Sequence, residues 1–473
     1  MRRSTFLQNA GLLTGSLLFH KSLSAQGVTF ESKRPLLAQR NFTSTAVEDV
    51  ITQFKSKVKD KELAWLFENC FPNTLDTTVF FAERDGAPDT YVITGDIDAM
   101  WLRDSSAQVW PYLSFLKNDS KLQQLIAGVI NRQTYFIQQD PYANAFYKDT
   151  SKVSRWASDR TDMKPGIHER KWEIDSLCYP IRLAYRYWKE TGDTKPFNAY
   201  WKESVMLILK TFKEQQRKTD HGPYHFQRAT EGAIGTLPMK GYGFPVKPNG
   251  LICSMFRPSD DATIFPFLIP SNFFAVVSLK QAAEMVSAIF KDNILAINLE
   301  NLATEVHQAL RQSAIVQHPT FGKIYAFEID GFGNHNLMDD ANLPSLLSLP
   351  YLDALSVQGP VYQNTRRFAL SGSNPYFYKG SVAEGTGGPH VARDNMVWPL
   401  GIIARGLTST NDTEIRHCIA MLKATHAGTG FIHETFNQDN PADFTRKWFA
   451  WGNTIFGEFL WKTLMTKPQL LNA

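Results

Sequence analysis

Apolar residues recur at three- and four-residue spacing through much of the chain, the period that gathers them on one face of an α-helix. That spacing predicts helices over 47–58, 106–116, 121–138, 174–191, 197–215, 273–290, 299–315, 398–407, 413–425 and 448–464. Strand-like runs are few and short: Thr78-Val79-Phe80-Phe81, Tyr91-Val92-Ile93-Thr94 and Ile324-Tyr325-Ala326-Phe327, the size of hairpins carried on loops. Between the helices lie long connections rich in glycine, proline and aromatic residues, at 76–100, 140–172, 220–270, 317–340, 371–396 and 426–445. Loops of this length inside one domain are uncommon and often functional. The expected fold class is therefore all-α: an (α/α)6 barrel whose long loops form a pocket at one end. No low-complexity linker divides the chain, and no fixed-period repeat supports a solenoid. Residues 45–473 read as a single domain.

Composition adds little to this and removes some alternatives. With 43% hydrophobic and 20% charged residues, the 473-residue chain has the make-up of a globular protein, not a disordered one. Aromatic residues reach 13%, with 11 Trp, enough for a large core and also for a surface that stacks sugar rings. The net charge is +4, and residues 1–25 hold Arg2, Arg3 and Lys21 with no acid, so the remainder stands at +1. A near-neutral body gives no electrostatic footprint for nucleic acid or an anionic membrane.

The N-terminus reads as an export signal over 1–25. Arg2-Arg3 precedes an apolar stretch at about 10–19, too short to span a bilayer, and small residues follow at Ser22, Ser24 and Ala25. Arg2-Arg3-Ser4-Thr5-Phe6 resembles a twin-arginine signal with Phe6 one place late, so the route stays open. A loose lead-in is expected over 26–44, and a periplasmic or extracellular location with no membrane span. The expected assembly is a monomer. Cys70, Cys178, Cys253 and Cys418 are widely separated, and no CxxC or Cys/His cluster suggests zinc. Buried free thiols are expected.

Chemistry concentrates in loop motifs where acids sit among aromatics. In Gly95-Asp96-Ile97-Asp98-Ala99-Met100-Trp101-Leu102-Arg103-Asp104-Ser105, the Ser105/Gln108 spacing predicts a capped helix start, with Arg103 and Asp104 just outside it. Asp accepts from sugar hydroxyls, Arg donates to them, and indole covers an apolar ring face. A capping Asp104 with a surface ion pair fits the residues equally well. In Arg257-Pro258-Ser259-Asp260-Asp261-Ala262, neighbouring side chains on an extended backbone point opposite ways. One acid then faces the pocket, with a pKa raised by aromatic surroundings, and the other is structural. Glu434, flanked by His433 and Phe436, is placed like a catalytic base, although a buried pair with Arg446 or Lys447 explains it too. Gly387-Gly388-Pro389-His390 lets the backbone approach a ligand and offers His390 to a hydroxyl. The charged cluster His168–Ser176 and the Asp339-Asp340-Ala341-Asn342 segment either border a sugar groove or simply start helices. Paired acids such as Asp96/Asp98 and Asp339/Asp340 also resemble metal ligands, without a cation-binding loop spacing.

Two carboxylates from distant loops, one acid and one base, are the minimum for glycoside hydrolysis. Taken together, GDIDAMWLRDS, ERKWEIDSLCYP, FRPSDDA, FLIPSN, DGFGN, MDDANLPSLLSLPYL, GGPH and HETFN…FTRKWFAWGNTIFGE resemble glycoside hydrolase family 125 over about 45–467. The resemblance implies an (α/α)6 fold and exo-acting hydrolysis of α-1,6-linked mannose, with inversion and without metal or cofactor. It implies a mannose-containing oligosaccharide as the partner, the general acid at Asp260 or Asp261, with Asp261 preferred, and the general base at Glu434. The Trp101-Leu102-Arg103-Asp104 motif also resembles the sugar clamp of glucoamylase-like enzymes. That likeness implies a pocket made by Asp98, Trp101, Arg103, Asp104, Arg257 and His390. The motif at 387–390 is less Ser-rich than the family pattern. A glucoamylase-like hydrolase and a non-catalytic glycan-binding protein are the competing readings.

Overall fold

The Ser44 hydroxyl accepts a hydrogen bond from the Val47 amide at 3.2 Å and so starts the first helix, a normal N-cap. Helix α1 (Thr45–Lys57) then buries Val47, Val50, Ile51 and Phe54, the stripe that its spacing predicts. The other helices are α2 (Lys61–Cys70), α3 (Leu102–Val109), α4 (Ser120–Gln139), α5 (Ile174–Thr191) and α6 (Ala199–Gln215), then α7 (Ile269–Met285), α8 (Asn293–Ser313), α9 (Pro360–Ala369), α10 (Pro399–Leu407), α11 (Asp412–Ala424) and α12 (Ala450–Thr466). This computed structural model describes residues 30–472, so the export signal expected over 1–25 lies outside the described residues. From Ser32 onward the described chain forms one compact unit.

The helices pack in an inner row and an outer set. Helix α3 packs against α5 and α12, α5 against α7, and α10 against α12. Outside them, α4 pairs with α6, α8 covers α7, and α11 covers α10. Helices α7 and α12 are apolar nearly all round and are buried to match. The α7 helix with its continuation, Ile269–Phe290, is long and apolar enough to cross a membrane, but here it is a core helix packed on α5 and α8. Between α7 and α10 the chain crosses residues 341–354 in successive turns. Tyr179 and Arg182 of α5 donate to the carbonyls of Leu343 and Tyr351, at 3.1 and 3.0 Å.

Short antiparallel sheets pin the loops at the site. One joins Met100–Trp101, Ala145–Phe146 and Ile167–Glu169; another joins Met396–Val397, Thr435–Asn437 and Phe444–Thr445. The predicted strand runs at 78–81 and 91–94 form the hairpin Val79–Arg84/Ala87–Val92.

Three expectations change. Helix α3 starts at Leu102 and not at a Ser105 cap, because the Leu102 amide is bonded to the Asn144 carbonyl at 3.0 Å, which fixes the turn earlier. Arg103 and Asp104 therefore lie in the first helical turn, and Gln108 points inward to the Ile93 carbonyl and Thr78 hydroxyl. Helices α2 and α9 arise where no helix was predicted. In α9 the inward face includes Thr365 and Arg366, which breaks the apolar stripe. The described part of the lead-in is tied down rather than loose: Arg34 is buried between Glu48 and Asp76, at 2.5 and 2.8 Å.

Candidate active site

The loop that follows the hairpin turns sharply at Gly95, whose φ is +126°. A Cβ there would stand 2.3 Å from the Trp448 carbonyl, so only glycine lets these two loops meet. The Asp96 amide donates to that same carbonyl at 3.3 Å. This contact brings the 94–104 segment beside 445–451, and a cavity opens between them and the 258–260 turn. It encloses about 620 Å³, its open mouth included. Its wall includes Trp101, Arg103, Asp104, Asp260, His390 and Glu434, with Trp398, Phe449 and Trp451 adding aromatic surface.

Glu434 sits at the start of the Thr435–Asn437 strand and is held from both sides. Its Oε1 accepts from Arg446 Nη1 at 3.2 Å, and its Oε2 from the Thr445 hydroxyl at 3.0 Å. Arg446 also grips Asp96 at 2.5 Å and the Thr94 hydroxyl at 3.2 Å, tying the base-like carboxylate to the opposite loop. The ion pair with Arg446 and a place on the cavity wall thus coexist.

The two adjacent acids diverge, though not through an extended backbone. Asp260 has φ +65°, a left-handed turn closed by its amide on the Arg257 carbonyl at 2.8 Å and by the Arg257 amide on the Asp261 carbonyl at 2.7 Å. Asp260 lines the cavity, with its side chain 20% exposed. Asp261 turns behind it, where it accepts from the Ser259 hydroxyl at 3.2 Å and meets His390 Nδ1 at 3.0 Å. Partial burial works against a charged His390, but Asp261 outweighs it and raises the imidazole to about 9.

Behind Asp260 lies a buried charge cluster centred on Arg103. The guanidinium reaches Glu173 at 2.5 Å, Asp260 at 3.0 Å, Asp175 at 3.3 Å and Asp104 at 3.5 Å. Burial pushes Asp104 up to about 6, with Arg103 pulling it the other way. Burial also works on Asp260, yet Arg103 holds it well below the usual carboxylate range, while buried Glu173 moves well above it.

Two expected sugar contacts are corrected by this geometry. Asp98 is exposed, paired with Lys152 at 3.2 Å, and is absent from the cavity wall. Arg257 is buried behind the turn, pairs with Glu328 at 2.7 Å and is absent from the cavity wall. The other acid pairs with a metal-like look are also engaged. Asp339 accepts from the Leu346 and Leu347 amides, and Asp340 from Asn342. Sequence reading did not single out Asn144, and it met Asn342, Trp398 and Trp451 only as parts of longer motifs. Glu173 and Asp175 were visible only as part of a charged helix start. A larger depression between 83–89, α4 and 193–200 contains none of the candidate site residues.

Known proteins resemble this chain in sequence and in fold. The model of the GH125 metal-independent α-mannosidase family matches residues 60–461. The meiotically up-regulated gene 157 protein of Schizosaccharomyces pombe is 42% identical, over 93% of this chain and 89% of its own. A metal-independent α-mannosidase from Streptococcus pneumoniae, solved in a non-productive complex with α-1,6-mannobiose, is 40% identical. The match has a TM-score of 0.86 and covers 90% of this chain and all of that one. A bacterial glucoamylase solved with acarbose shares the fold at 13% identity, with a TM-score of 0.50 over 79% of this chain and 50% of its own.

Proposed function

The chain belongs to the GH125 metal-independent α-mannosidases, a glycoside hydrolase family, and from that premise we propose that it removes α-1,6-linked mannose from the non-reducing end of glycans with inversion. The observation that carries this reading is that Asp260 and Glu434, from loops far apart in sequence, line the same cavity. In this mechanism Glu434 takes a proton from a water molecule as the water attacks C1 of the mannose. Thr445 and Arg446 hold its two oxygens and leave the carboxylate aimed. An acid on the opposite side protonates the leaving oxygen. Asp260 suits that role better than Asp261, because Asp260 lines the cavity while Asp261 is occupied with His390. Inversion needs roughly 6.5–9.5 Å between the two carboxyl groups, with room for the water. Trp101, Arg103, Asp104 and His390 supply ring stacking and hydroxyl contacts for the terminal sugar.

The binding of α-1,6-mannobiose by the S. pneumoniae relative supports the linkage. The inner run α12–α3–α5–α7, with α10 on α12, supports reading the body as an (α/α)6 barrel, as does the fold shared with glucoamylase. Export by the 1–25 segment and action as a monomer belong to the same proposal. The test is to incubate the purified protein with α-1,6-, α-1,3- and α-1,2-mannobiose and with α-glucosides, following the product by NMR. Release of β-mannose first, from the α-1,6 dimer, is expected. Cleavage of the glucosides alone, or α-mannose as the first product, overturns the reading.

A further inference from the structure

A general acid must carry a proton when substrate arrives, yet Asp260 faces a guanidinium that favours its charged form. The surrounding cluster resolves this. Glu169 is neutralised on its own, by Lys171 at 3.3 Å and Arg228 at 2.9 Å. Among the described residues, Arg103 is left as the one cation paired with four carboxyl groups, those of Asp104, Glu173, Asp175 and Asp260. Four ionised carboxylates around a single buried guanidinium would leave a large uncompensated charge, and buried groups neutralise rather than bear it. The group therefore keeps at least one proton. Of the two fully shielded members, Glu173 and Asp175, Glu173 is the one joined to Asp260. Its side chain is fully shielded from solvent, whereas that of Asp260 is open to the cavity. Asn144 Nδ2 bridges the two, at 3.3 Å from Glu173 and 3.1 Å from Asp260, and their carboxyl groups stand within hydrogen-bonding reach of one another.

Resting on the reading of Asp260 as the acid, we propose that Glu173 is a positioning residue that stores the catalytic proton and hands it to Asp260. At rest the proton lies on Glu173 and is donated toward Asp260. As the mannoside enters, the proton passes to Asp260 and on to the glycosidic oxygen while the C1–O bond breaks. The attacking water forms the new C1–O bond and loses its proton to Glu434. The Glu173–Asp260 pair is then one proton short and Glu434 one proton richer, and exchange with solvent through the cavity mouth restores both. The pair titrates as a unit, and the apparent pKa of the acid belongs to both members. Asp104, Asp175, Arg103 and Lys171 set its field from α3 and α5, and His390 from the cavity side.

The test compares Glu173→Gln with wild type on two substrates. One is α-1,6-mannobiose, whose leaving oxygen needs a proton. The other is 2,4-dinitrophenyl α-mannoside, whose phenolate leaves without one. The substituted amide keeps a donor to Asp260 but has no proton to give. A loss of ~10²–10⁴-fold on mannobiose is expected, with less than about a threefold change on the dinitrophenyl substrate. The alkaline limb of the remaining mannobiose activity should also move to lower pH. Equal losses on both substrates in a variant whose circular dichroism and melting match wild type, or none on either, overturn the proposal. Asp260→Asn separates the premise from the inference. If it cleaves mannobiose like wild type, Asp260 is not the acid; if it fails on mannobiose while Glu173→Gln does not, only the role of Glu173 falls.

Discussion

His390 Nδ1 lies 3.0 Å from Asp261 Oδ1, beside the cavity that Asp260 and Glu434 line. Because Asp261 raises the imidazole to about 9, His390 binds its proton more tightly in the fold than in the unfolded chain. The stability from this pair is then fully present below the ordinary histidine pKa of about 6.5 and is lost as pH rises through about 9. Melting temperatures of wild type and His390→Gln should differ at pH 6 and converge by pH 10. A constant gap across that range would refute the pairing.

Glu434→Gln should lower turnover of α-1,6-mannobiose by at least ~10²-fold while leaving binding near wild type, as judged by calorimetry. The amide keeps the shape that Thr445 and Arg446 hold, so the loss reports the missing proton acceptor. Weakened binding with an unchanged rate constant would point to a sugar-positioning role instead.

Asp260→Asn and Asp261→Asn should part company. The first should remove turnover on mannobiose to a similar degree, and the second should mainly raise KM by freeing His390. Steady-state kinetics of the two variants side by side decide between the neighbours.

Asp104 is held against its own stability. With its pKa raised to about 6 by burial, the folded state favours the protonated form. Stability from this group is greatest below about pH 4 and falls as pH rises through 6. Asp104→Asn should thus be more stable than wild type at pH 8, by on the order of 1–3 kcal/mol, and should bind mannose less well. Denaturant unfolding at pH 5 and pH 8 checks the sign.

Gly95→Ala should destabilise the protein and cut activity together. The added Cβ would meet the Trp448 carbonyl at 2.3 Å and must occupy φ +126°, a conformation costing on the order of 1–3 kcal/mol for a residue other than glycine. Relief can come only by parting the loop that carries Asp96 from the one that carries Arg446. A variant with wild-type melting and kinetics would show that the two loops are not coupled in this way.

Much of the helical body is legible from periodicity because burial there is one-sided. Helix α5 spans 174–191 as its apolar spacing predicts. Helix α2 escaped because residues 63–67 are buried consecutively, which erases the period. The start of α3 misled because Ser105 and Gln108 have the spacing of a capping box, but an amide contact from residue 144 decides where the helix begins. The motifs marked the loops that matter, and Trp101, Arg103, Asp104, Asp260, His390 and Glu434 line one cavity. The choice between Asp260 and Asp261 lay in a left-handed turn, and the Arg103 cluster in contacts 70 to 157 residues apart along the chain. Neither leaves a local signature.

The four thiols, Cys70, Cys178, Cys253 and Cys418, are buried and unbridged, and burial pushes Cys253 and Cys418 up to about 12. Thiols so protonated and enclosed are poor nucleophiles and are out of reach of glutathione, alkylating reagents and mild oxidants. This fold is therefore indifferent to redox poise. Once folded, the protein keeps these thiols unchanged in a reducing or an oxidising medium.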